Sequence, residues 1–217
     1  MKHIEKYVTK YIEACQLIDE KDNKYLLQGI QMLKELAAQN YIPANDLLAG
    51  YYQHGIGCER DYELSMRCCF KSITHYGTEA NPAWWRLGTL YMEGGFKLVQ
   101  NYTKSYAFFD AYLNNPEHAD EQRVGACLHH MGLMHLHGWG RSFKDSVRAY
   151  AFFTSALRFG YHKSQALQAE TGKILSDAEL KEAQHESHWR YIKHRRFLDN
   201  AERKFISDME ASAFIVE

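Results

Sequence analysis

The residues of this 217-residue chain with the most chemistry to offer are its twelve histidines and five cysteines. Four histidines crowd the segment HHMGLMHLHG: His129, His130, His135 and His137. A metal site needs several donors converging on one point. His130 and His137 stand about two helical turns apart, whereas His135 and His137 do not share a helix face. No cysteine or carboxylate falls at ligand spacing beside them. Structural and surface roles are expected here, with His135 at a packing position. His185 and His188 are three residues apart near Glu182 and Glu186, with His194 further on. Two donors on an exposed helix make a weak zinc or nickel site, and no HExxH pattern accompanies them. No metal ligand is assigned.

Nucleophilic chemistry has little support. Cys68 and Cys69 occupy positions where a helix packs, so inert burial is expected. Cys127 precedes His129 and His130, but neighbours two and three residues on do not by themselves build a relay with an orienting third group. G-x-S-x-G, Walker A and dinucleotide fingerprints are absent, and the paired glycines lie between helices, where a turn accounts for them. The chain is therefore read as non-catalytic and without a cofactor.

Binding chemistry is better represented. The chain holds 15 Tyr, 11 Phe and 4 Trp. Aromatic residues with a neighbouring arginine are the usual material of binding hot spots. Tyr51, Trp84, Trp85, Arg86 and His129 are candidates for such a face, and Trp139, between Gly138 and Gly140, for its edge. Arg190 and Arg195 belong to a basic stripe with Lys193, His194 and Arg196, flanked by Glu186, Asp199 and Glu202. A solvated helix face is the plain reading of that stripe, and an acidic partner surface the functional one.

These residues need elements to carry them. Hydrophobic residues make up 46% and charged residues 24%, with only 3 Pro, the composition of a folded domain. The net charge of -1 argues against general binding to a phosphate backbone, and no recurring side-chain code for RNA is present. No stretch approaches the roughly 18 apolar residues needed to span a bilayer. The N-terminus, MKHIEKYVTKYIEACQLIDE, has charges throughout and no apolar core of a secretory signal. An odd number of irregularly spaced cysteines suggests free thiols in a reducing compartment. A cytoplasmic location is the expectation.

The chain also repeats itself. Residues 48–73, 87–113 and 131–160 share one layout. A helical stretch ends in a glycine turn, a polar loop follows, and a second helix begins with a small residue and a bulky pair three and four positions on. The small residues are Ser65, Ser105 and Ala149, spaced 40 and then 44 apart. The pairs are Cys68 with Cys69, Phe108 with Phe109, and Phe152 with Phe153. The turns carry Gly55 and Gly57, Gly94 and Gly95, and Gly138 and Gly140. An earlier half-unit spans residues 29–44, with Ala37 and Ala38 corresponding to Ser72 and Ile73. The periodicity is helical throughout, with no convincing strand pattern.

At Leu87, Gly88, Tyr91 and Gly94 the chain resembles the Sel1-like repeat family, a relative of the tetratricopeptide repeats. Tyr52, Gly55, Gly57 and Asp61 match a second copy. Met131, Gly132, Gly138, Gly140, Asp145 and Ala149 match a third, with His135 where tyrosine is usual. Lys71, Ser72, Ala156 and Gly160 continue the pattern, while the pairs at 68–69, 108–109 and 152–153 lack its tryptophan. The resemblance implies an all-α fold: a short right-handed alpha-alpha superhelix, or solenoid, of helix pairs with helical caps. It implies a concave binding face, adaptor or scaffold roles often found in bacteria, and no catalytic residue.

Three parts are expected: a capping helix over 1–24, a repeat array over 25–172 and a helical extension over 173–217. Ser176 and Glu179 form a capping-box pattern at the start of the extension. Its end, LDNAERKFISDMEASAFIVE, either docks back as a cap, meets a partner, or pairs two copies of the chain. The expected function is a protein–protein interaction module, as adaptor, scaffold or inhibitory, immunity-type binder. It would use the concave face and the C-terminal helices. The alternative is a small-molecule or peptide sensor with an aromatic groove.

Overall fold

Several helices open on a side chain that accepts a free backbone N–H, as at Asp22, Asn101, Asp120 and Asp145, and those ending at His54 and His137 close on a left-handed glycine. The computed structural model describes residues 2–20, 22–76, 81–115, 120–140 and 143–213. In order the helices are α1 (Lys2–Asp19), α2 (Asn23–Ala38), α3 (Ile42–His54), α4 (Tyr62–Tyr76) and α5 (Asn81–Glu93). They continue with α6 (Tyr102–Leu113), α7 (Glu121–His137), α8 (Ser146–Arg158), α9 (Gln165–Gly172) and α10 (Asp177–Ala213). Among the described residues the one extended pairing is a single bridge between Gly95 and Leu98, so the fold is all-α. The helices form two compact units, residues 1–100 and 101–217.

The anchors of the three repeats occupy equivalent places. Gly55, Gly94 and Gly138 all take a left-handed backbone, with φ of 68°, 65° and 70°. Each donates its N–H to the carbonyl four residues back, of Tyr51, Leu90 and Met134, which satisfies an otherwise free helix end. The second helices start alike. Side-chain oxygens of Asp61, Asn101 and Asp145 accept the N–H of Leu64, Lys104 and Arg148, each at 2.9 Å. Ser65, Ser105 and Ala149 are fully buried. The second member of each bulky pair, Cys69, Phe109 and Phe153, is buried too.

In the first unit, α1 and α2 pack as a helix pair, α3 and α4 as the next, and α5 lies against α4. Ala14 of α1 joins Ile30, Leu33 and Leu36 of α2 and Leu48 of α3 in one buried cluster. Removing each such large side chain from water contributes about 1.5–3 kcal/mol. Gly29 lets α1 approach closely, since a Cβ there would lie 2.7 Å from the Ala14 carbonyl oxygen.

In the second unit, α7 and α8 form the most intimate pair. A Cβ on Gly132 would sit 2.7 Å from the Phe153 ring, so glycine is what allows that ring to lie against α7. The chain then makes a 3-10 turn at His162–Ser164 and α9, both against α8. Ser176 and Glu179 close their capping box, the Ser176 N–H donating to Glu179 Oε2 at 2.8 Å. Then α10 returns along α8, burying Ala183 and Ser187. The helix runs on through Ala213. The side chains of residues 200–213 and the whole of 214–217, where the sequence leaves docking or pairing open, lie outside the described residues.

Candidate protein-binding surfaces

The candidate residues of the first unit sit on α3 and α5. Tyr51 is half-buried and turned toward α1: burial raises its phenol, with Cys15 and Asp19 adding to the shift. Trp84, Trp85 and Arg86 open α5 and are all half-buried. Arg86 Nη1 donates to Gln53 Oε1 at 2.7 Å, and Gln53 Nε2 donates to Thr89 Oγ1 at 3.1 Å. Arg86 thus ties α5 to α3, and its guanidinium lies over Gly50, where a Cβ would come within 3.4 Å of it. Burial raises the nearby Asp46 carboxyl above the usual range, against the opposing effects of Ser72, which donates to it, and of the Arg86 charge.

In the second unit His129 is buried, with Nδ1 2.9 Å from Ser164 Oγ and its ring tilted against Phe153 and Tyr161. Burial, aided by Lys163, lowers its pKa. Trp139 is half-buried between two rings, Tyr102 at 4.6 Å and His137 at 4.5 Å. The Arg190 guanidinium lies 3.6 Å over the Phe152 ring and pairs with Glu186. Burial lowers its pKa, against the Glu186 charge. Arg195 pairs with Glu121 and, at 2.9 Å, with Asp199. The basic stripe is therefore laced by carboxylates, and Lys193 donates to Asn114 at 2.6 Å.

Two open clefts in this unit involve residues that the sequence did not single out. One, of about 590 Å³, is lined by Tyr106, Asp110, His135, Phe143, Asp145 and Arg148 among others. The other, of about 490 Å³, lies between α8 and α10 and shares Asp145 and Arg148. It adds Glu182, Glu186 and Trp189, the last 58% exposed, while Phe143 at the first cleft is 88% exposed. Their signal in the sequence was an aromatic ring placed where its surroundings are polar: Trp189 on a charged helix and Phe143 in a loop. Only the packing of α10 on α8 shows that both reach one arginine.

Burial disfavours the thiolate at Cys68, Cys69 and Cys127. Burial pushes Cys68 up to about 11 and Cys69 up to about 12. Cys127, wholly buried, is raised well above its ordinary value. His185 accepts the Trp189 indole N–H at 3.0 Å. Among the described residues no three His, Cys, Asp or Glu side chains gather as a metal would need. No described helix is long and apolar enough to cross a membrane.

Comparison with protein families matches the Sel1 repeat at residues 42–74, 83–110 and 125–158. Eleven chains of solved structures match as well. One is a Sel1 repeat protein from Oxalobacter formigenes, with a TM-score of 0.57 and 19% identity, over 88% of this chain and 72% of that one. Another is c5321, a protective antigen present in uropathogenic Escherichia coli strains that displays an SLR fold. There the TM-score is 0.54 and the identity 16%, over 91% of this chain and 47% of that one, so this chain spans about half its length. At such identities the likeness shows the fold alone. Comparison with curated proteins gives no match. With three tandem repeats that each cap, turn and pack alike, the chain belongs to the Sel1-repeat family, whose repeats are generally protein–protein interaction modules.

Proposed function

We propose that the chain is a non-catalytic protein-binding module that acts as an adaptor, scaffold or inhibitory binder. The observation that carries this reading is the pair of open clefts around Arg148, flanked by the exposed rings of Phe143 and Trp189. Large aromatics beside an arginine bind well when a partner excludes water from them. The clefts are partly open, and their rims carry exposed aromatic rings that a protein partner can cover. Tyr51, Trp84, Trp85 and Arg86 form a candidate contact region in the first unit. His129, Trp139, Arg190 and Arg195 are the further candidate residues of the second. Five free thiols and the bacterial source of both similar structures favour a reducing bacterial cytoplasm.

The test is capture of a stoichiometric complex with tagged protein from its source cells, followed by reconstitution from purified components. Trp189→Ala, at an exposed position, is expected to fold normally and weaken the complex at least tenfold. Trp84→Ala with Trp85→Ala, checked for folding, reports on the first unit. A complex indifferent to both variants, or no reconstitutable complex, overturns this reading.

A further inference from the structure

A second kind of surface lies in the first unit, between α2 and α4. The helices α2 and α4 both pack on α3, and a groove of about 440 Å³ runs between them. Its floor is Asn45, Leu48 and Tyr52 of α3. One wall is Ala37 and Ala38 of α2, small side chains that leave the space unfilled, and the other is Leu64 and Cys68 of α4. A further cleft of about 690 Å³ continues along α4, bordered by Ile42 and Phe70, and shares Arg67 and Lys71 with the first. From Leu64 to His75 the α4 side rises about 16 Å, room for about three turns of an added helix. Leu64 and Phe70 are 38% and 40% exposed.

The charges on this groove have one sign. Lys34 stands on the α2 rim and Arg67 and Lys71 on the α4 rim, and no Asp or Glu lines either cleft. Arg67 is paired with Glu63 at 2.6 Å, but the two side chains are 67% and 44% exposed, so the pair is weak and easily exchanged. Among the described residues Lys34 and Lys71 have no carboxylate partner; Lys34 lies 5.9 Å from the Tyr52 ring centre. An apolar floor between two cationic rims is complementary to a segment with an apolar face edged by carboxylates.

We propose that the groove between α2 and α4 receives an acidic amphipathic segment of a partner protein. The proposal rests on the reading of the chain as a protein-binding module and names the chemistry of one contact. Its occupant presents apolar residues at helical spacing to Tyr52, Leu64 and Phe70, and Asp or Glu to Lys34, Arg67 and Lys71. Rim charges of this kind speed association and select partners, and salt weakens them.

The test pans a phage library of random peptides on the full chain and, in parallel, on the folded variant carrying Lys34→Glu, Arg67→Glu and Lys71→Glu. Enriched peptides are expected to combine Asp or Glu with apolar residues three and four apart. A synthetic copy of the strongest should lose at least tenfold in affinity on the variant and on Leu64→Asp, while Trp189→Ala binds it as the parent does. Peptides with no acidic bias, equal binding to the folded charge variant, or no enrichment over a blank surface would overturn the proposal. So would a dimer of the parent that the charge variant abolishes, since the groove would then belong to a second copy. A natural partner held equally by the parent and the charge variant would remove this groove and leave the module standing.

Discussion

Ser155 of α8 and Ser187 of α10 meet with their Oγ atoms 3.3 Å apart, both fully buried. Two small side chains at the crossing set how closely α10 lies on the last repeat, and so set the width of the cleft that Trp189 borders. Ser155 already donates to the Ala151 carbonyl at 2.7 Å, so the crossing needs smallness more than it needs the second hydroxyl. Ser187→Ala is expected to change stability by less than about 0.5 kcal/mol. Ser187→Leu overfills the crossing and should cost about 1–3 kcal/mol. Urea denaturation checks the stabilities, and hydrogen exchange along α10 shows whether it lifts from α8.

The Arg86 network predicts a second outcome. Arg86→Met keeps much of the side-chain volume but removes the donor to Gln53 and the positive charge near Asp46. The loss should be about 2 kcal/mol, the scale of a hydrogen bond to a charged group. The Asp46 carboxyl, already raised, should titrate higher still. Denaturation midpoints measure the first effect and carbon-detected NMR titration the second. An unchanged Asp46 titration would show that the guanidinium does not act on it.

Acid should loosen the second unit before the first. Burial pushes His130 and His194 down to about 4, with His129 adding to the first shift and Lys193 to the second. His129 and His135 are lowered by burial as well. Above about pH 6.5 these groups are neutral whether the chain is folded or unfolded, and they add no pH dependence. As pH falls from about 6.5 to about 4, the unfolded chain takes up protons that the folded one refuses, so stability falls. The loss is at most about 3 kcal/mol per strongly shifted histidine and levels off below about pH 4. Hydrogen exchange at pH 7 and pH 5 should show protection lost first in residues 101–217. Equal loss in both units would contradict the assignment, and His194→Leu should flatten the profile.

Two turn positions should respond in opposite directions. Gly140 has φ of 73°, and a Cβ there would lie 2.9 Å from the Thr103 backbone nitrogen. Gly140→Ala should cost upward of about 1–2 kcal/mol, since both the backbone conformation and the space are denied. Lys97 also lies in the left-handed region, at φ of 72°, but carries a side chain there. Lys97→Gly relieves that strain and should stabilise the fold by about 1 kcal/mol. Thermal melts of the two variants, run beside the parent, give both signs.

Much of this architecture is legible in the residues. The six turn glycines at 55, 57, 94, 95, 138 and 140 all prove left-handed, because an L side chain is strained there and glycine is not. Ser65, Ser105 and Ala149 prove fully buried, because helices that approach closely exclude anything larger. Asn101 escaped notice as the equivalent of Asp61 and Asp145, although asparagine caps a helix by the same hydrogen bond. The left-handed Phe96 and Lys97 had no signal at all, since neither residue type favours that conformation and only the closure between Gly95 and Leu98 imposes it.

Helix identity, turn positions and repeat period were thus determined by the sequence alone, because each depends on residues within a few positions of one another. What faces what was decided only by the tertiary structure. Arg86 and Gln53, 33 positions apart, become partners because α5 lies against α3. Trp189 comes to share Arg148 with the cleft that Phe143 borders because α10 returns along α8. The groove between α2 and α4 acquires one sign of charge because two separate helices turn their cations to the same opening. Local pattern biases where a helix starts, ends and turns its apolar face, whereas a binding surface is made from residues whose proximity the fold supplies.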